Sequence, residues 1–263
     1  MLMKFLPFLT VIVIWTPCRA QNGITSADLY KLRSVGEVQF SPDGSRIAYA
    51  VTNNDQPGRP YTQTWIMTLA THQSIRLGRA SMPRWSPDGK WIAYIAGAGL
   101  TIAKPDGTGT VALAKIENTN NPLPSSGDRL AWSPDSKFIA FISSTPGPEA
   151  DTNGDPMVIT RYLYKPTASE GMTRLNDNRR LHTFIADLAT KAVRQLTTGN
   201  YYEHSIDWSP DGRKILFVSN HESDPDRFFN YDIFTANTST GAVRRITDTK
   251  SAGIARPGRP TGK

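Results

Sequence analysis

The residues able to do covalent chemistry in this 263-residue chain are few and scattered. Four histidines, His72, His182, His204 and His221, could each act as a general base toward a serine. A base needs its nucleophile within hydrogen-bond reach, and many hydrolases expose that serine on a strained strand-to-helix turn written Gly-x-Ser-x-Gly. No serine in the chain has glycine both two before and two after it. The nucleophile elbow is absent, so the chain by itself carries no Ser-His-Asp machinery and is expected to be inactive alone. A second candidate is Asp151-Thr152-Asn153-Gly154-Asp155, whose alternating oxygens suit a calcium loop. An EF-hand needs glycine at its sixth position and glutamate at its twelfth, and here those places hold Pro156 and Tyr162. The stretch reads better as a solvated loop with Asx turns. Cys18 is the sole thiol, which removes disulfides and any cysteine-based metal site or nucleophile from the mature chain. No metal and no cofactor is expected.

What must position any functional side chain is a repeated hairpin. Phe40-Ser41-Pro42-Asp43-Gly44, Trp85-Ser86-Pro87-Asp88-Gly89, Trp132-Ser133-Pro134-Asp135-Ser136 and Trp208-Ser209-Pro210-Asp211-Gly212 repeat one phrase. Proline presets φ for the second turn position, aspartate tolerates the third, and glycine accepts φ > 0. Ser136 stands where the other copies have glycine and is the weaker variant. An Ile-x-aromatic pair follows each turn: Ile47/Tyr49, Ile92/Tyr94, Ile139/Phe141 and Ile215/Phe217. With period 2, each pair shares one face of the outgoing strand. A second hairpin follows each copy, pairing 65–69 with 75–77, 100–102 with 111–113, 184–188 with 193–196, and 233–235 with 243–246. Two hairpins make one four-stranded propeller blade.

The fold is therefore predicted as an all-β propeller with four recognisable blades and the start of a fifth, an incomplete ring. The four turn serines are spaced by 45, 47 and 76 residues, so an insertion at about 144–181 is expected between blades three and four. An aspartate that recurs in every turn (Asp43, Asp88, Asp135, Asp211) is a folding device, because a binding site uses a few blades asymmetrically. Trp85, Trp132 and Trp208 read as packing between blades.

Residues 1–20 read as an export signal: Lys4, an apolar run from Phe5 to Trp15, then small residues around Ala20 with cleavage before Gln21. The expectation is a periplasmic or secreted chain with no membrane attachment after cleavage. Removing Lys4 and Arg19 lowers the formal charge from +7 to +5. The remaining positive residues are scattered and read as solubility, not as a nucleic-acid footprint. At the other end, Pro260, Gly262 and Lys263 fall in register with a turn motif that has lost its aromatic, serine and aspartate. Residues 249–263 are thus expected to be a degenerate start of the next blade or a frameshifted tail. An open ring exposes strand edges, and marginal stability or aggregation follows.

The repeated hairpins resemble the WD40-like repeats of two groups. One is the prolyl oligopeptidase family of serine peptidases, in its acylaminoacyl-peptidase and dipeptidyl-peptidase-like branch; the other is the periplasmic TolB-type propellers. Val158-Ile159-Thr160-Arg161-Tyr162-Leu163-Tyr164-Lys165 is similar to the segment after the inserted loop in the peptidases. The run from Ser219-Asn220-His221-Glu222 through Asp224-Pro225-Asp226 to Tyr231-Asp232-Ile233-Phe234 resembles their next blade. The resemblance covers about residues 24–248. It implies a propeller that gates short peptides toward a C-terminal α/β-hydrolase domain carrying the triad, a domain missing here. It also implies that Arg161 and Tyr162 lie near the face toward that domain, where Arg161 could hold a peptide carboxylate or carbonyl. An inter-blade ion pair is the competing role for Arg161. Glu203 could capture a peptide amino terminus, although the paired-glutamate motif of such sites is lacking. The alternative is a non-catalytic TolB-like propeller that binds another protein through its loops.

Overall fold

The structure, a computed structural model, describes residues 23–120, 127–152, 156, 158–159, 176–223 and 230–249. It contains four antiparallel four-stranded sheets in chain order. Blade one is β1 (Ser34–Phe40), β2 (Arg46–Asn53), β3 (Tyr61–Thr68) and β4 (Ser74–Gly78). Blade two is β5 (Ser81–Trp85), β6 (Ile92–Ala96), β7 (Gly99–Ala103) and β8 (Val111–Lys115). Blade three is β9 (Leu130–Trp132), β10 (Phe138–Pro146), β11 (Arg179–Asp187) and β12 (Val193–Gln195), and blade four is β13 (Glu203–Trp208), β14 (Lys214–Ser219), β15 (Asp232–Asn237) and β16 (Val243–Arg245). Strands within a blade pair in sequence order. The first strands β1, β5, β9 and β13 contact one another in succession, so they line the axis about which the blades fan.

Each turn motif does the local work its chemistry predicts. In blade one the Gly44 N–H reaches Ser41 O at 2.8 Å, while Asp43 Oδ1 accepts from Ser41 Oγ at 2.6 Å and from the Ser45 N–H at 3.1 Å. Asp88, Asp135 and Asp211 repeat this pattern. Ser136 keeps the left-handed φ of 62° that glycine adopts elsewhere. Its hydroxyl explains the substitution: Ser136 Oγ accepts the Asp88 N–H of the preceding blade's turn at 3.1 Å. The expected weak copy thus carries a bond between blades that glycine could not make.

Between blades one device recurs. Each tryptophan indole Nε1 donates to the carbonyl just before the preceding blade's aromatic: Trp85 to Gln39 O, Trp132 to Arg84 O, and Trp208 to Ala131 O, at 3.2, 2.9 and 3.0 Å. The Ile-x-aromatic pair of one blade packs against an alanine of the blade before it. Ala48, Ala93 and Ala140 are fully buried, as are Ile92, Ile139, Phe141, Ile215 and Phe217 to within 1%. Small against large fills these interfaces. Blade four breaks the series with half-buried Leu216 at the alanine position. Blade one has no preceding blade among the described residues, so Ile47 and Tyr49 are only half-buried and Phe40 is 65% exposed.

The extra residues fall within the expected bounds of about 144–181 but inside a blade, not between two blades. β10 and β11 pair without a break from Phe138↔Asp187 to Pro146↔Arg179. The insertion is therefore the connection 147–178 inside blade three, joining its second and third strands, not a link from blade three to blade four. The sequence spacing located the surplus but not the strand pair that carries it. Residues 1–20, read as a leader, and 250–263 of the terminal segment lie outside the described residues.

Candidate functional site

Strand direction separates two ends of the propeller. The Ser-Pro-Asp-Gly turns gather at one. The 147–178 connection, the start of β13 and the β14–β15 connection gather at the other. Polar groups are buried at this second end, where blades three and four meet. Unpaired buried polar groups are costly, and most here find partners, although His182 Nδ1, His221 Nε2 and Asn230 Oδ1 accept or donate no hydrogen bond among the described residues.

Arg180 enters at the second residue of β11 and is fully buried. Its guanidinium donates to Glu149 Oε2 at 2.5 Å, to Asn200 Oδ1 at 2.5 Å, and to the Tyr202 hydroxyl at 3.2 Å. The planar fork of arginine suits such divergent partners. Gly147 passes so close that a Cβ there would lie 2.5 Å from Asn178 O and 2.7 Å from Arg180 Nη1. Three residues along β11, the Thr183 N–H and hydroxyl both donate to Glu203 Oε2, at 3.0 and 2.8 Å, and Thr197 Oγ1 donates to it at 2.5 Å. Glu203 Oε1 stands 3.7 Å from His182 Nδ1. Glu203 is 1% exposed, and its carboxylate fastens β13 of blade four onto β11 of blade three.

Aromatic and imidazole rings pack around this fastening. His221 stacks between Tyr201 and Phe234, at centroid distances of 3.7 and 4.1 Å. Burial lowers its pKa, with the charge of Glu203 opposing. His204 meets Tyr231 edge-on at 5.4 Å, and its Nδ1 lies 2.8 Å from Ser205 Oγ. Burial pushes the His204 pKa down to about 4 and the Tyr231 hydroxyl up to about 12. Both rings are thus neutral near pH 7. His204 and Ser205 are the nearest approach to a base–nucleophile pair, but they are chain neighbours, and so depressed a base is a poor proton acceptor. Beyond them, burial raises Asp232, but bonds from Thr247, Thr249 and Arg245 outweigh it and hold the carboxyl low. These groups position and orient; the described residues assemble no hydrolytic constellation.

The axis-lining strands share a feature that the sequence did not announce. Glu37, Met82 and Ser205 each lie three residues before the blade's aromatic and take left-handed φ values of 52°, 55° and 57°. Each sits in a register shift of its strand pair. A bulge of this kind turns a strand and re-aims its side chains. Glu37 uses the turn to accept the Met82 N–H of blade two at 2.6 Å. Further round, Arg84 pairs with Asp128, whose charge, after burial, helps raise the pKa of Asp207.

Of the residues singled out from sequence, Arg161 and Tyr162 lie outside the described residues. Glu203 lies at the same end as the termini of the connection that carries them, buried beneath its own threonine donors. Asp151 closes a short 3₁₀ turn, Ala150–Thr152, and the remainder of its acidic stretch, 153–155, is outside the described residues. Sequence reasoning missed Arg180, and it named His182 and His204 only as possible bases without placing them at this junction. Their one signal was polar residues at strand positions that should face a core.

Four consecutive antiparallel blades fanned about a common axis define the protein as a β-propeller. No family model matches the chain. Two curated proteins match in sequence. The uncharacterized peptidase YuxL of Bacillus subtilis is 25% identical over 229 residues, covering 80% of this chain and 33% of the relative. Dipeptidyl-peptidase 5 of Porphyromonas endodontalis is 26% identical over 253 residues, covering 86% and 35%. Among solved structures, Pyrococcus horikoshii acylaminoacyl peptidase superposes with a TM-score of 0.63 at 18% identity, over 87% of this chain and 34% of that one. The chain spans about a third of the length of the curated relatives it matches. It is thus a propeller related in sequence to peptidases, in keeping with its resemblance to the propeller portion of the prolyl oligopeptidase family.

Proposed function

We propose that this chain is the substrate-gating propeller portion of an exported prolyl-oligopeptidase-family serine peptidase that acts on short peptides. The observation that carries this reading is the extent of the sequence match: most of this chain aligns with only a third of each of two peptidases. Chemistry in this reading belongs to an α/β-hydrolase domain, since the chain carries no nucleophile elbow. The propeller excludes folded proteins and presents the end at which the 147–178 connection leaves the sheet. Arg161 and Tyr162 on that connection are the proposed peptide contacts, with Arg161 holding a carboxylate or carbonyl as a two-pronged donor. The buried fastening of Arg180 and Glu203 holds the junction of blades three and four from which that connection departs. Glu203 thereby has a positioning role, and a role as an amino-terminus anchor needs a carboxylate oxygen exposed to the peptide. The TolB-like alternative, a non-catalytic protein-binding propeller, has no sequence relative in its favour among those described above.

The test is to sequence the DNA that follows codon 263. A hydrolase reading frame with Gly-x-Ser-x-Gly, in frame or after a one-base correction, supports the peptidase reading. A confirmed stop with no such frame overturns it and favours the stand-alone propeller. Export is tested separately by N-terminal sequencing of the mature chain from a periplasmic extract, where Gln21 is the expected first residue.

A further inference from the structure

The opposite end of the propeller carries a surface that the peptidase reading does not use. Beside the turn motifs, blades two and three enclose a groove of about 480 Å³, floored by Trp91, Ile102, Leu113, Phe138 and Leu188. Lys137 and Lys191 stand on its rim. Trp91 also forms one wall of a second groove of about 380 Å³, shared by blades one and two, where Arg46, Lys90 and Lys104 gather. The two grooves therefore adjoin through one indole. Five cations line them against two carboxylates, Asp106 and Asp187.

Those two carboxylates face their own turns. Asp187 Oδ1 accepts the N–H groups of Ala189 and Thr190, and Asp106 Oδ1 accepts the N–H and hydroxyl of Thr108. Lys90 and Lys137 pair loosely with the turn aspartates Asp88 and Asp135, at 3.4 and 3.8 Å and largely exposed, so these pairs contribute little. Arg46, Lys104 and Lys191 have no carboxylate within 4.0 Å among the described residues. The surface thus sets apolar hollows beside exposed cations, of which Lys104 lies near enough to Asp106 to help hold that carboxyl low. β8 supplies Val111 and Leu113 to the larger groove and is an edge strand with one side unpaired, which suits an extended chain.

We infer that this paired groove is a docking site for an extended acidic peptide segment that seats aromatic or aliphatic side chains on either side of Trp91 and places carboxylates against Lys104 and Lys191. The site is independent of the peptidase reading, since it lies at the other end of the propeller and uses none of Arg161, Tyr162 or Glu203. It is tested on the full-length purified chain by fluorescence anisotropy. The probe is a fluorescein-labelled hexapeptide of alternating glutamate and phenylalanine, and its lysine–phenylalanine counterpart is the control. Saturable binding of the acidic peptide alone is expected. The exposed double substitution Lys104→Glu/Lys191→Glu should weaken it at least tenfold with the melting temperature unchanged. Trp91→Ala should weaken it similarly, and Lys31→Glu, remote from the groove, should not. Equal binding of both peptides, indifference to the double charge reversal, or no saturable binding overturns the proposal. Tighter, equally variant-sensitive binding of single-stranded DNA or of phosphatidylglycerol vesicles also overturns it, because the cations would then read phosphate.

Discussion

Replacing Trp132 by phenylalanine should reveal how much of the propeller's stability resides in the bonds that join blade to blade. The indole is 8% exposed, and its Nε1 donates to Arg84 O at 2.9 Å across the interface of blades two and three. Phenylalanine keeps the aromatic face but removes the donor, leaving the carbonyl of half-buried Arg84 without this partner at a cost of about 1–3 kcal/mol. The smaller ring also buries roughly 40 Å² less, worth about 1 kcal/mol at 25 cal/mol per Å². The expected loss is therefore about 2–4 kcal/mol, or roughly 4–16 °C in melting temperature for a domain of this size. Trp85 should lose less, because its bond is longer at 3.2 Å and the ring is only half-buried. The internal control is Phe40, which stands at the same register, is 65% exposed and contacts no preceding blade; Phe40→Leu should cost under about 0.5 kcal/mol. Urea unfolding followed by far-ultraviolet circular dichroism reads all three without relying on indole emission. If Trp132→Phe falls within 0.5 kcal/mol of the unaltered protein, or matches Phe40→Leu, the indole bonds do not hold the blades together and the reasoning fails.

Three further outcomes follow from the geometry. Glu203→Ala strips the shared acceptor from Thr183 and Thr197 and should cost about 2–5 kcal/mol in urea unfolding, with Glu203→Gln intermediate; an alanine variant as stable as the parent would remove its fastening role. The His204 pKa of about 4 lies below the ordinary 6.5, so the unfolded chain takes up a proton first as pH falls. Its stabilising contribution is whole above about pH 6.5 and is lost progressively toward pH 4, by up to about 3 kcal/mol; His204→Phe should flatten the stability profile in that window, and parallel profiles would refute the assignment. Ser136→Ala keeps the left-handed φ of 62° and loses the bond from the Asp88 N–H, whereas Ser136→Gly loses the bond but relieves the backbone. The glycine variant should therefore be more stable than the alanine variant by about 1 kcal/mol, and the reverse order would show that the left-handed φ at this position carries no strain for glycine to relieve.

Much of this fold was legible because its instructions are local. The turn aspartates bond within two residues of themselves, and the Ile-x-aromatic pairs announce their face by period alone. Even the thin pairing of 100–102 with 111–113 is realised, as β7 with β8. What escaped was non-local. Arg180 meets Glu149 thirty-one residues away, and Thr183 meets Glu203 across twenty, so neither contact leaves a pattern in sequence. The axis bulges escaped for a different reason: Glu37, Met82 and Ser205 occupy a left-handed conformation that sequence reading assigns to glycine. The insertion was counted correctly in residues yet given to the wrong joint, because spacing between turn motifs does not say which strands of a blade part company. Arg161 and Tyr162 were drawn from resemblance alone and remain proposals.

The indole bonds also give the propeller a direction. Each indole bond has its donor on the later blade and its carbonyl on the earlier one, so the outward sides of blades one and four are chemically unlike. Blade four offers the equivalent carbonyl, that of Asp207, to whatever follows it. Blade one offers Phe40, a plug with no pin. Blades can be appended after the fourth with the same fitting throughout, but a closure onto blade one has no indole donor at the position of Phe40. In a closed assembly containing this chain, that seam is where the ring has to be joined without the pin that fastens these four blades to one another.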